Sequence, residues 1–185
     1  MVYKKMIQNL IKILEITISN EKISSEIKNI SNKIKEIDKL GKLIVIFGNG
    51  GSAADSQHFA GELMCTYKNK NRKPFKALAL TTDTSILTAW ANDFSYDSVF
   101  ERQVEAFNNQ IGLAIGLSTS GESKNVISAL NKANSLAIPT CLISGQKKNL
   151  IEYLDFNIEI PSKETEIIQT ITQVVYHSIC QELEK

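Results

Sequence analysis

The chain has 185 residues, enough for one domain of ordinary size with an appended helical segment. At 43% hydrophobic it can build a sizeable core, and a net charge of +1 leaves no electrostatic footprint for nucleic acid. No apolar run comes near the roughly 18 residues of a membrane span, so no membrane partner is expected.

Residues 1–40 contain neither Gly nor Pro. Residues 4–19 read as a helix that breaks at Ser19-Asn20. Beyond it, Ile23, Ile27, Ile30, Ile34 and Ile37 recur at 4-3-4-3 spacing, a narrow seam of the kind used in helix-on-helix packing. Two such helices bury little against each other. They are expected to pack on the following domain and on a partner chain; an intramolecular hairpin with a solvated outer face is the alternative. Lys147-Lys148 and the lysines between 68 and 76 read as solvated loops. Cys65, Cys141 and Cys180 have no C-x-x-C spacing and are expected to be reduced, buried or half-buried thiols of a cytoplasmic protein. The first residues lack the apolar segment and cleavage site of a signal peptide.

From residue 41 the pattern alternates. Apolar runs at 43–47, 77–80, 111–117, 139–143 and 156–160 read as buried strands. Helices are predicted at 52–67, 84–91, 97–108, 123–136, 148–153 and 164–184. This alternation predicts an α/β fold, a five-stranded parallel sheet between helical layers, three layers in all. The division is 1–40, a helical segment for oligomerisation, and 41–185, the α/β domain. Ligands of such sheets sit outside the strands' carboxyl ends, where three polar loops fall: 48–52, 81–84 and 118–123.

The first loop, Gly48-Asn49-Gly50-Gly51-Ser52, lets backbone N–H groups approach a ligand at a helix start. His58 and Glu62 follow at i,i+4 on one helix face. Each feature has a plainer reading, a common α/β turn and a solvated surface pair. The third loop, Ser118-Thr119-Ser120-Gly121-Glu122-Ser123, sets four hydroxyls before a helix. That suits a phosphate monoester without an arginine; N-capping would need only one hydroxyl. Asn92-Asp93 ends an apolar helix and could simply be a turn. On the last helix Gln169 and His177 share a face. His58 and His177 are the two histidines of the chain.

Taken together, these residues resemble the sugar isomerase (SIS) domain family, and within it the bacterial phosphoheptose isomerases. The resemblance spans essentially the whole chain. It implies a flavodoxin-like SIS fold and a homotetramer with sites at subunit interfaces, the N-terminal helices forming its central bundle. The implied activity converts D-sedoheptulose 7-phosphate to D-glycero-D-manno-heptose 7-phosphate through an enediol, the first step of ADP- or GDP-heptose precursor synthesis. By matching positions, Ser118, Thr119, Ser120 and Ser123 would hold the phosphate. Asn49, Gly50, Gly51, Ser52, Asn92, Asp93, Glu62 and Gln169 would contact the sugar. Glu62 and His177 would be the acid/base pair, and His58, Glu62, Gln169 and His177 would bind one zinc per subunit. The family often has arginine where this chain has Thr66, with Arg72 the candidate substitute. It often has aspartate at Glu166 and glutamate at Thr170. Two other readings share the resemblance. One is a non-catalytic tetramer that binds a protein such as a replication initiator; the other is an isomerase of a different ketose phosphate.

Overall fold

A computed structural model describes residues 1–146 and 151–185. In chain order it has α1 (Val2–Ile18), α2 (Glu21–Lys39), β1 (Leu43–Gly48), α3 (Gly51–Met64), β2 (Ala77–Ala79) and α4 (Thr84–Asp93). A 3-10 turn (Tyr96–Ser98), α5 (Val99–Ala106), β3 (Ile111–Ser118), α6 (Lys124–Ser135), β4 (Thr140–Ser144), β5 (Phe156–Glu159) and α7 (Thr165–Leu183) follow.

The strands pair in parallel in the order β2-β1-β3-β4-β5. β1 shows why these strands read as unbroken apolar runs. Ile44 and Ile46 enter the layer built with α2, α3 and α7, while Val45 and Phe47 enter the layer built with α5 and α6. The winding direction reverses between β1 and β3, which pair Ile46 with Ile115. The crevice beyond their carboxyl ends is therefore the switch point, and the loops 48–52 and 118–123 border it.

The isoleucine seam of α2 is buried within this chain, not held for a partner. Ile23, Ile30, Ile34 and Ile37 are buried in the layer shared with α7, and Ile27 packs at its margin. Each contributes about 1.5–3 kcal/mol by leaving water. At the break expected at Ser19-Asn20, Asn20 caps α2, its side-chain oxygen accepting from Lys22 N–H at 3.1 Å and Ile23 N–H at 3.4 Å. α1 is different: it has no buried residue, and Met6, Ile7, Ile11 and Ile16 remain exposed.

Several expected boundaries move. The helix predicted over 52–67 stops at Met64, because Cys65 leaves helical angles at φ −85°, ψ −105°. Cys65 is consequently exposed, against expectation, while Cys141 and Cys180 are buried. Burial raises both buried thiols, Cys180 to about 12, so neither is a nucleophile at neutral pH. The helix predicted over 97–108 divides into the 3-10 turn and α5. Lys147-Lys148 and positions 148–150 of another predicted helix lie outside the described residues; 152–153 form a turn instead. Among the described residues no helix is long and apolar enough to cross a membrane.

Candidate active site

Two glycines shape the loop after β1. Gly50 has φ +55°, a left-handed position from which α3 starts. Gly48 lies so close to β3 that a Cβ would sit 2.8 Å from Leu117 O and from Ser52 Cβ. Asn49, between them, exchanges amide hydrogen bonds with buried Asn125 on the first turn of α6, at 2.8 and 2.9 Å. The Tyr96 hydroxyl also donates to Asn49 Oδ1 at 3.1 Å. The glycine loop is thereby tied to the helix that follows the serine loop.

In the serine loop, Ser118 Oγ is 2.9 Å from Ser123 Oγ and 3.4 Å from Ser120 Oγ. Gly121, at φ +68°, turns the chain between them. Ser123 precedes α6 but makes no side-chain capping bond, and Ser118 is buried beneath it. Plain N-capping therefore does not explain these hydroxyls. They form a neutral cradle at a helix N-terminus, an arrangement that favours an anion. Thr119 is half-buried and Ser120 exposed beside them. The loop after β2 is structural at Asp83, whose carboxylate caps α4 by accepting from Ile86 N–H at 3.0 Å. Asn92 and Asp93 are exposed at the end of α4, joined by a 2.9 Å hydrogen bond.

His58, Glu62 and His177 are brought together, with ligand atoms within 4.8 Å of one another. His58 Nε2 lies 3.1 Å from Glu62 Oε1. The His177 ring meets the His58 ring at 5.1 Å and stacks on Tyr67 at 5.4 Å and 24°. Burial first, then the neighbouring His58, lowers the His177 pKa against the opposing pull of Glu62. His177 is thus a neutral imidazole at neutral pH, the form that accepts a proton or a metal.

Gln169 is elsewhere. A Cβ on Gly51 would sit 2.3 Å from Gln169 Nε2, so the amide lies against the glycine loop. At 1.5 Å per residue it is about 12 Å along α7 from His177; His58 and Glu62 are about 10 and 16 Å along α3 from Gly51. Within one chain, three of the four expected metal ligands converge, and the fourth lies against the glycine loop. Arg72 does not take the place of an arginine at Thr66. Its guanidinium donates to Glu62 O at 2.7 Å, Leu63 O at 3.0 Å and Lys73 O at 2.7 Å, and pairs with Glu184 at 3.2 Å.

Reading the sequence missed Tyr67, Tyr96, Asn125 and Tyr176. Tyr176 Oη is 2.9 Å from His58 Nδ1. Tyr176 is adjacent to His177 in sequence, and adjacent helix residues point about 100° apart, so a search along one face passes over it. Asn125 is two residues past Ser123, close enough to have been suspected.

A parallel sheet with a hydroxyl-rich loop at its switch point defines an α/β protein with an anion-binding crevice. The SIS domain family model matches residues 5–145, and the chain belongs to that family. It is 44% identical over 164 residues to phosphoheptose isomerase 1 of Campylobacter jejuni, covering 88% of each chain. It is 42% identical over 166 residues to the phosphoheptose isomerase of Aquifex aeolicus, covering 89% of this chain and 86% of that one. Within the family it stands with the phosphoheptose isomerases. The structure of the Neisseria gonorrhoeae phosphoheptose isomerase matches with a TM-score of 0.83 at 30% identity over 99% of both chains. That of the Francisella tularensis phosphoheptose isomerase matches with a TM-score of 0.90, over 99% of this chain and 97% of that one; at 24% identity this is a likeness of fold.

Proposed function

We propose that the protein converts D-sedoheptulose 7-phosphate to D-glycero-D-manno-heptose 7-phosphate, the first step toward ADP- or GDP-heptose for lipopolysaccharide or capsule. The observation that carries this reading is the convergence of His58, Glu62 and His177 in a chain of this family. A scaffold that only bound a protein would need none of the three, which disfavours the partner-binding alternative.

In this reading Ser118, Thr119, Ser120 and Ser123 hold the phosphate with the N-terminus of α6. Asn49, Gly50, Gly51, Ser52, Asn92, Asp93 and Gln169 contact the sugar. Binding at the phosphate, remote from the reacting carbons, fixes C1 and C2 for proton transfer. Glu62 removes the C1 proton and returns it to O2 to give an enediol; neutral His177 then takes the O1 proton as the C1 carbonyl forms and delivers a proton to C2, so both side chains end as they began. A positioned acid/base group is worth about 10²–10⁴ in rate.

Two imidazoles and a carboxylate form the donor set of a catalytic zinc site, and the 3.1 Å spacing of His58 Nε2 and Glu62 Oε1 suits adjacent ligands of one small cation. His58, Glu62 and His177 would hold one zinc per subunit, which when bound would polarise the substrate carbonyl. The exposed apolar side chains of α1 support residues 1–40 as the assembly segment of a cytoplasmic homotetramer, with 41–185 as the catalytic domain. Sites between subunits would let a second copy complete the sugar pocket.

The test is isomerase turnover of sedoheptulose 7-phosphate, fructose 6-phosphate and arabinose 5-phosphate, after chelation and with zinc restored, for the wild type and Glu62→Gln. Turnover of the seven-carbon substrate, dependent on zinc and lost in Glu62→Gln, is expected. Near-full activity of Glu62→Gln removes Glu62 as the base. Turnover of another sugar alone transfers the reading to that ketose phosphate, and no turnover of any with an intact tetramer transfers it to partner binding.

A further inference from the structure

We propose that Tyr176, backed by Asp55, is a positioning residue that sets the tautomer of His58, so that its Nε2 presents a lone pair to a bound cation. This rests on the reading of His58, Glu62 and His177 as a cation site.

His58 cannot serve that site while Nε2 carries the ring proton. The structure gives its other nitrogen one close partner, the Tyr176 hydroxyl, at 2.9 Å from Nδ1. Tyr176 is fully buried, stacked on Phe59 at 5.2 Å and 16°, so the hydroxyl is held in place. Asp55, one turn before His58 on α3, faces the same hydroxyl, and Gln173 borders it from α7. The hydroxyl has one proton and two acceptors within reach, Nδ1 and the Asp55 carboxylate.

Two arrangements of the ring proton are open. Without a cation, His58 Nε2–H donates to Glu62 across 3.1 Å, and the tyrosine O–H donates to Nδ1. With a cation, the ring proton resides on Nδ1 and is donated to Tyr176 Oη, while the hydroxyl proton turns to Asp55. The ring holds one proton in each state and the tyrosine holds one, so cation loading moves the ring proton from Nε2 to Nδ1 without net release. Removing the hydroxyl takes away the one close partner of the Nδ1–H in the loaded state, and a lost hydrogen-bond partner costs affinity. Partners behind a metal-binding histidine are typically worth about 10–100-fold in affinity.

The experiment uses the full chain, with zinc itself as the probe. Long-range ¹H–¹⁵N correlation at the histidine rings reports each tautomer, and two histidines make the spectrum readable. Zinc affinity is measured separately, by competition with a chromophoric chelator. In the wild type, His58 is expected to be the Nε2–H form without zinc and the Nδ1–H form with it. Tyr176→Phe, which keeps the stacked ring, is expected to bind zinc about 10–100-fold more weakly. Asp55→Ala, at a half-buried position that does not depend on the Tyr176 ring, is expected to weaken it in the same direction. Unchanged affinity in both variants overturns the proposal, as does a zinc-loaded wild type whose Nδ1 carries no proton. A wild type that binds no zinc at this cluster overturns the cation reading and this inference with it, and is recognised by failing before any variant is made.

Discussion

Arg72→Ala should destabilise the protein strongly although Arg72 meets the proposed site only through the Glu62 backbone carbonyl. The Arg72 and Glu184 side chains are 9% and 7% exposed and 3.2 Å apart. Arg72 closes the carbonyl end of α3 through Glu62 and Leu63, while Glu184 accepts from the backbone N–H groups of Tyr67, Lys68 and Asn69 at 2.9–3.1 Å. The pair fastens the end of α7 to the end of α3, the two helices that carry His177, His58 and Glu62. Breaking a buried pair by removing one partner costs about 3–5 kcal/mol. The three N–H donors left to Glu184 place this case at the lower end, about 3 kcal/mol. For a chain of this size each kcal/mol moves Tm by about 2–4 °C, so Arg72→Ala should melt about 6–12 °C lower. Calorimetry or circular dichroism at neutral pH measures it, and a fall of less than about 3 °C refutes the reasoning. The pair also has a pH signature. Burial alone would raise the Glu184 carboxyl, but the Asn69, Lys68 and Tyr67 N–H bonds with Arg72 outweigh it and hold it below its ordinary 4.5. A depressed acid stabilises above the unfolded value and loses that contribution as pH falls through the folded one. The Tm gap between wild type and Glu184→Gln should therefore be full at neutral pH and close below about pH 4.5.

Three further outcomes are expected. Because the His177 pKa is lowered from 6.5, its neutral form persists into mild acid; the acid limb of kcat/KM should fall below pH 6.5, and a midpoint at or above it contradicts the assignment. Gly51→Ala would push the Gln169 amide from its place against the glycine loop. It should raise KM by roughly 5-fold, about one hydrogen bond, while Tm holds or rises, since alanine is the better helix former; an unchanged KM removes Gln169 from the sugar side. Ile11→Glu sits on a helix with no buried residue and should leave the fold of the single chain within about 0.5 kcal/mol. Light scattering should show it dissociating the proposed tetramer, and an unaltered assembly would exclude the exposed face of α1 as the interface.

Much of this protein is legible in its sequence because the relevant physics is local. A strand buried on both faces must be apolar without interruption, so β1 and β3 announce themselves. A helix start needs glycine or a small polar residue, which marks both switch-point loops. His58 and Glu62 meet by the pitch of a single helix. Other decisions belonged to tertiary structure. Periodicity showed that α2 has an apolar seam but not which surface covers it, since its own sheet layer and a partner helix ask for the same isoleucines. Helix propensity did not reveal that α3 ends at Met64, because the guanidinium that closes it arrives from Arg72. The Tyr176–His58, Arg72–Glu184 and Asn49–Asn125 contacts span 118, 112 and 76 residues of chain. Such pairs are set by how α3, α6 and α7 seat on the sheet. That seating is fixed by the packing of the whole core, and no spacing within one segment encodes it.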